Sequence, residues 1–122
     1  MKRVVSIGQC GFDHGQISGL LRREFGVETT AAATLAEAQR AIASAGPALV
    51  LVNRKLDIDG GDGLDIIRRL QADEVTKDVP VMLVSNYPDA QAEAGTLGAA
   101  PGFGKQELSD PATLDKLRPF LG

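Results

Sequence analysis

The stretch ALVLVNRKLDIDGGDGLDII, residues 48–67, decides how this chain is read. Leu49, Val50, Leu51 and Val52 form a continuous apolar run of the kind found in a strand covered on both faces. Asn53 follows at once, and a loop rich in Asp and Gly runs on to Gly63. Leu64, Ile67 and Leu70 then recur at helical spacing, so the run predicts a buried strand, a long turn and a helix that packs back onto the sheet.

The same alternation extends in both directions. VVSIG at 4–8 is a β-branched run ending in glycine. After it, Asp13 with Gln16 three residues on reads as a capping box, ahead of Ile17, Leu20, Leu21 and Phe25, with Gly26 as the stop. VETTAAA is a weaker strand. Thr34 and Glu37 form a second capping box before LAEAQRAIASAG, whose alanine face allows close packing. Beyond the central unit, VPVMLVS at 79–85 is another doubly covered strand, and Pro88 suits the first turn of a helix ending near Gly98. A short strand around Gly102 and Phe103 precedes Asp110 and Pro111, an N-cap and N1 pair opening a last helix with Leu114, Leu117 and Leu121 inward.

Five strands alternating with five helices predict an α/β domain, a doubly wound parallel sheet of five strands flanked by five helices. The 122 residues suit one domain over 1–122 with no separate output domain. In such a fold the working crevice lies beyond the carboxyl ends of the strands. That places Gly8, Gln9, Asn53, Ser85 and Lys105 around one site.

Composition narrows the partners. A net charge of -3 provides no general basic field for nucleic acid. No apolar run approaches a membrane span and no signal-like start is present, so a cytoplasmic setting without membrane contact is expected. The single Cys10 reads as an inert thiol, and the single His14 as an exposed helix residue rather than a catalytic one.

In the order and spacing of RVVSIG, PALVLVN, DGLDIIRRL, VPVMLVS and GAAPGFGK, the chain resembles the response-regulator receiver (CheY-like) family along essentially its whole length. Ser85 lies 32 residues after Asn53 and Lys105 lies 20 after Ser85, close to that family's pattern. The resemblance implies a flavodoxin-like (βα)5 fold with strand order 2-1-3-4-5. It also implies a site in which an acidic pair ending strand one and an aspartate ending strand three bind magnesium, the aspartate accepting a phosphoryl group.

Here those positions read Gly8, Gln9 and Asn53. An amide is a poor nucleophile and carries no charge, and magnesium favours carboxylate oxygens. Ser85 and Lys105 match the family's phosphoryl-sensing hydroxyl and phosphate-pairing lysine. Asn86 replaces the usual small residue, Gln106 the usual proline, and Gly102 the frequent aromatic switch residue. The expectation is a non-phosphorylatable pseudo-receiver with no cofactor and no catalytic residue, in which Asn53 accepts a hydrogen bond from Lys105 or donates one to Ser85. It would act by binding protein partners, through the face of helix 4, strand 5 and helix 5 (Tyr87, Phe103, Gln106) or through the 54–62 loop.

Two rival readings come from the same residues. Asp57, Asp59 and Asp62 could swing over the crevice and hold a cation, giving a metal-regulated or residual phosphate-sensing switch, although their spacing is not that of an EF-hand loop. GQCGFDHG and GFGKQ could cradle a phosphate of a nucleotide or flavin, although neither matches a dinucleotide fingerprint or a P-loop.

Overall fold

The computed structural model describes residues 2–122. Its elements alternate strictly: β1 (Arg3–Ile7), α1 (Gly11–Phe25), β2 (Glu28–Ala32), α2 (Leu35–Ala45), β3 (Leu49–Asn53), α3 (Gly63–Ala72), β4 (Val81–Val84), α4 (Pro88–Thr96), β5 (Ala100–Phe103), one turn of 3-10 helix (Lys105–Glu107) and α5 (Pro111–Leu121). The five strands are parallel in the order β2-β1-β3-β4-β5, as the sequence led us to expect.

Helices cover both faces of the sheet, which is why the central strands read as unbroken apolar runs. On one face Val5, Ile7, Val50, Val52, Val81 and Leu83 pack with residues of α2, α3 and α4. On the other, Val4, Leu49, Leu51, Met82, Val84 and Phe103 pack with α1 and α5 through Ile17, Leu21, Leu117 and Leu121. Helix α2 packs on the sheet through Ala38 and Ile42, with Leu35 and Ala41 partly buried beside them.

Three local expectations are corrected. The N-cap of α1 is Cys10, whose Sγ accepts from the Asp13 backbone N–H at 3.4 Å, so Asp13 lies within the first turn and its carboxylate is free to act elsewhere. Leu114 is only half-buried; Thr113 takes the inward position on α5 and donates to Glu107 O at 2.6 Å. His14 is half-buried instead of exposed, with Nδ1 closed off from solvent and without a hydrogen-bond partner.

Strands β4 and β5 are out of simple register. Met82 pairs with Ala100 and Val84 with Phe103, so β5 carries one extra residue and bulges at Pro101 and Gly102. The Gln91 side chain from α4 fills the interruption: Nε2 donates to Leu83 O at 2.9 Å and Ser85 O at 3.1 Å, while Oε1 accepts from Gly102 N at 3.2 Å. Lys116 of α5 donates to Gly102 O at 2.9 Å. Side chains thus satisfy the backbone groups that the bulge takes out of the ladder, as burial requires. A Cβ at residue 102 would stand 2.1 Å from Leu83 O, so no aromatic side chain fits there.

Candidate functional site

The carboxyl ends of β3, β4 and β5 bring together three of the five expected positions, Asn53, Ser85 and Lys105. A cleft of about 360 Å³ opens here, lined by Asn53, Arg54, Lys55, Val84, Ser85, Asn86, Tyr87 and Lys105. Gly8 and Gln9 do not line it. The reason lies in the loop after β3, which folds back over the end of β1.

That loop is closed on itself. Lys55 and Asp62 form an isolated antiparallel bridge, Leu56 N donates to Gly61 O at 2.9 Å, and Gly60 N donates to Leu56 O at 2.7 Å, with Gly60 in the left-handed region at φ 70°. Asp57 N donates to Gly8 O at 2.9 Å and so ties the loop to β1. The buried Leu56 side chain then sits on Gly8: a Cβ at residue 8 would come within 2.3 Å of Leu56 Cδ2. Gly8 itself has φ 78°, a conformation that disfavours every side chain. An aliphatic group therefore occupies the space next to β1.

Asn53 has different partners from those expected. Its Nδ2 donates to Gly8 O at 3.0 Å and to Lys55 O at 2.6 Å, so the amide stitches β1, β3 and the returning loop together. An amide can do this where an ionised carboxylate cannot, since the carboxylate would present oxygen to two carbonyl oxygens. Ser85 Oγ accepts from Tyr87 N at 3.1 Å and caps the turn into α4. Lys105 Nζ reaches neither residue; it donates to Asp13 Oδ2 at 2.6 Å across the mouth of the β1–α1 turn.

Asp13 is the site residue that sequence reasoning missed. It was assigned to the helix cap, and the signal that could have found it is its place one turn after β1, opposite the loop that carries Lys105. The hydrogen bond from Lys105 is the main cause holding the Asp13 carboxyl below its ordinary value; desolvation opposes this, and a hydrogen bond with Cys10 and the lysine charge assist it.

The loop carboxylates do not converge. Asp62 Oδ1 accepts from Leu64 N at 2.9 Å as the cap of α3 and from Arg54 at 3.0 Å, while Asp59 Oδ1 accepts from Gly61 N at 2.8 Å. Among the described residues no group of three His, Cys, Asp or Glu side chains is placed to hold a metal. The donor set also fails the magnesium site that the resemblance implies, because residues 8, 9 and 53 supply no carboxylate. The Asp57, Asp59 and Asp62 cation site is thus not formed. GFGKQ enters a single 3-10 turn, and Gly104 N is taken by Glu107 Oε1 at 2.9 Å, leaving no helix N-terminus open to a phosphate.

Of the expected contact residues, Tyr87 is 70% exposed and Gln106 is exposed. Phe103 is corrected: it is 1% exposed, packed between β4, α1 and α5 as part of the core.

No protein-family model matches the chain, and no curated protein sequence matches it. Solved structures do. A sensor protein from Polaromonas sp. JS666 superimposes with a TM-score of 0.82 at 20% identity, over 98% of this chain and 95% of that one. Chemotaxis protein CheY4 of Vibrio cholerae gives 0.72 at 18% identity over 99% of both chains. The receiver domain of the sensor histidine kinase PA1611 from Pseudomonas aeruginosa, with a magnesium ion coordinated in its active-site cleft, gives 0.69 at 19% identity over 99% of this chain and 98% of that one.

The fold is that of a response-regulator receiver domain. Within the receiver fold, the serine and lysine stand at the carboxyl ends of β4 and β5 bordering the cleft. The loop after β3 closes over the end of β1, and Asn53 is bonded beneath it. Among the described residues no helix is long and apolar enough to cross a membrane.

Proposed function

We propose that this receiver fold works as a phosphorylation-independent protein interaction module, a pseudo-receiver in a cytoplasmic signalling or regulatory assembly. The observation that carries the reading is the bonding of Asn53. The residue at the acceptor position is an amide committed as donor to Gly8 O and Lys55 O, and the adjoining position is a glycine covered by Leu56. On this reading no group in the cleft performs covalent chemistry, no metal or cofactor is used, and signalling proceeds by binding.

The test is incubation of the purified protein with magnesium and acetyl phosphate, followed by intact mass measurement and an amide-resolved NMR titration with beryllofluoride. The expected result is an unchanged mass and no shifts at Gly8, Asn53, Ser85 and Lys105. Uptake of a phosphoryl group would sink the reading.

A further inference from the structure

Large apolar side chains are seldom left in water without a use when they cluster. Among the described residues the exposed large hydrophobic side chains are Phe12, Ile58, Val75 and Tyr87, at 74%, 59%, 68% and 70%. Phe12 stands in the first turn of α1, Ile58 in the loop after β3 and Tyr87 at the N-cap of α4. These segments follow β1, β3 and β4, three adjacent strands of the sheet. Phe12, Ile58 and Tyr87 therefore share one end of the molecule, and Tyr87 lines the cleft that opens there.

The lining of that cleft has one sign of charge. Arg54, Lys55 and Lys105 contribute to it and no Asp or Glu does, in a chain whose net charge is -3. Lys105 and Arg54 already hold Asp13 and Asp62, each pair partly open to solvent. Lys55 makes no ion pair among the described residues. Lysine carries three donors and arginine five, so each has capacity beyond its present partner. Asn86, also in the lining, is exposed.

We propose that this end of the sheet docks an acidic segment of a partner protein, one Asp or Glu side chain entering the cleft toward Lys55 and Lys105 while flanking apolar residues lie on Tyr87, Ile58 and Phe12. The proposal rests on the interaction-module reading and names its surface and the chemistry of its partner. A protein is favoured over an anionic bilayer because the cationic groups line a concavity, whereas the exposed Asp57, Asp59 and Asp89 beside the apolar residues would face the lipid phosphates.

The experiment is selection of a random peptide library displayed on phage against the purified full chain, with titration of the selected peptides by NMR. Expected are peptides that pair Asp or Glu with aromatic or large aliphatic residues and shift the amides of Phe12, Lys55, Ile58, Asn86 and Tyr87. Their affinity should fall with added salt and drop about tenfold or more in Lys55→Glu and in Phe12→Ser. Both substituted positions are exposed, and an unchanged thermal melt controls for folding. Peptides without acidic residues, shifts confined to the α4, β5 and α5 face, or no binder at this end overturn the docking site while leaving the interaction-module reading in place. Sedimentation with phosphatidylserine vesicles, lost in the same two variants, would replace the protein partner by a membrane. Phosphoryl uptake from acetyl phosphate would overturn the underlying reading instead.

Discussion

Leu56 stands where a side chain on residue 8 would have to be. The 2.3 Å approach of Leu56 Cδ2 to a Cβ built on Gly8, together with the positive φ there, makes glycine at the end of β1 and leucine in the returning loop a matched pair. Gly8→Asp is expected to cost about 2 kcal/mol or more, from left-handed strain and displacement of Leu56. Urea denaturation of the variant measures this, and equal stability with wild type would contradict the packing.

Asn53→Asp is expected to lose about 2 kcal/mol near neutral pH, because a carboxylate in place of Nδ2 faces Gly8 O and Lys55 O, leaving Lys55 O without its donor and Gly8 O with Asp57 N alone. Burial against carbonyl oxygens raises the pKa of such an aspartate. The loss should therefore shrink as the pH falls through that raised value, where the protonated acid regains one donor. The variant is also expected to form no acyl phosphate, since Gly8 and Gln9 still offer magnesium no carboxylate. A stable acyl phosphate on this single variant would falsify that expectation.

The Asp13 and Lys105 pair predicts a pH dependence with a definite sign. Its hydrogen bond depresses the folded-state pKa of Asp13, so the stabilisation is present above the ordinary aspartate value of about 3.9 and disappears as the pH falls through the lower, folded value. Asp13→Asn should be less stable than wild type by about 1 kcal/mol at neutral pH, the gap closing in acid. Melting curves of both proteins between neutral and strongly acidic pH test this; a gap that widens in acid would contradict it.

Gln91→Leu should lower stability by about 2 kcal/mol, since it strips partners from Leu83 O, Ser85 O and Gly102 N together. Hydrogen exchange at Gly102 should accelerate as well. Protection equal to wild type would show that the amide bridge does not hold the bulge.

Gln9 carries the opposite prediction. Both polar atoms of its side chain are shut from solvent without a hydrogen-bond partner, so Gln9→Met removes a desolvation penalty and should stabilise by about 1 kcal/mol, roughly 4 °C in Tm. A lower Tm would mean the amide is satisfied in solution.

Much of this architecture was legible along the chain because it rests on short-range rules. Unbroken runs such as 49–52 and 81–84 marked strands covered on both faces, and the Thr34 and Glu37 pair marked the start of α2 through a bond that forms, Glu37 N to Thr34 Oγ1 at 3.1 Å. The loss of carboxylates at residues 8, 9 and 53 was equally plain, since identity alone removes a charge. What the chain did not disclose was who bonds to whom at the site. Lys105 finds Asp13 across 92 residues, Asn53 finds Gly8 O across 45, and Leu56 finds Gly8, because strand order and one folded loop set those distances. Apolar runs and caps along the chain specify the parallel α/β sheet, and residue identity specifies the missing carboxylates. That an aliphatic side chain and an amide, rather than the loop aspartates, close over the end of β1 follows from the folded arrangement alone, since a hydrogen bond or a contact depends on where two distant segments meet in space.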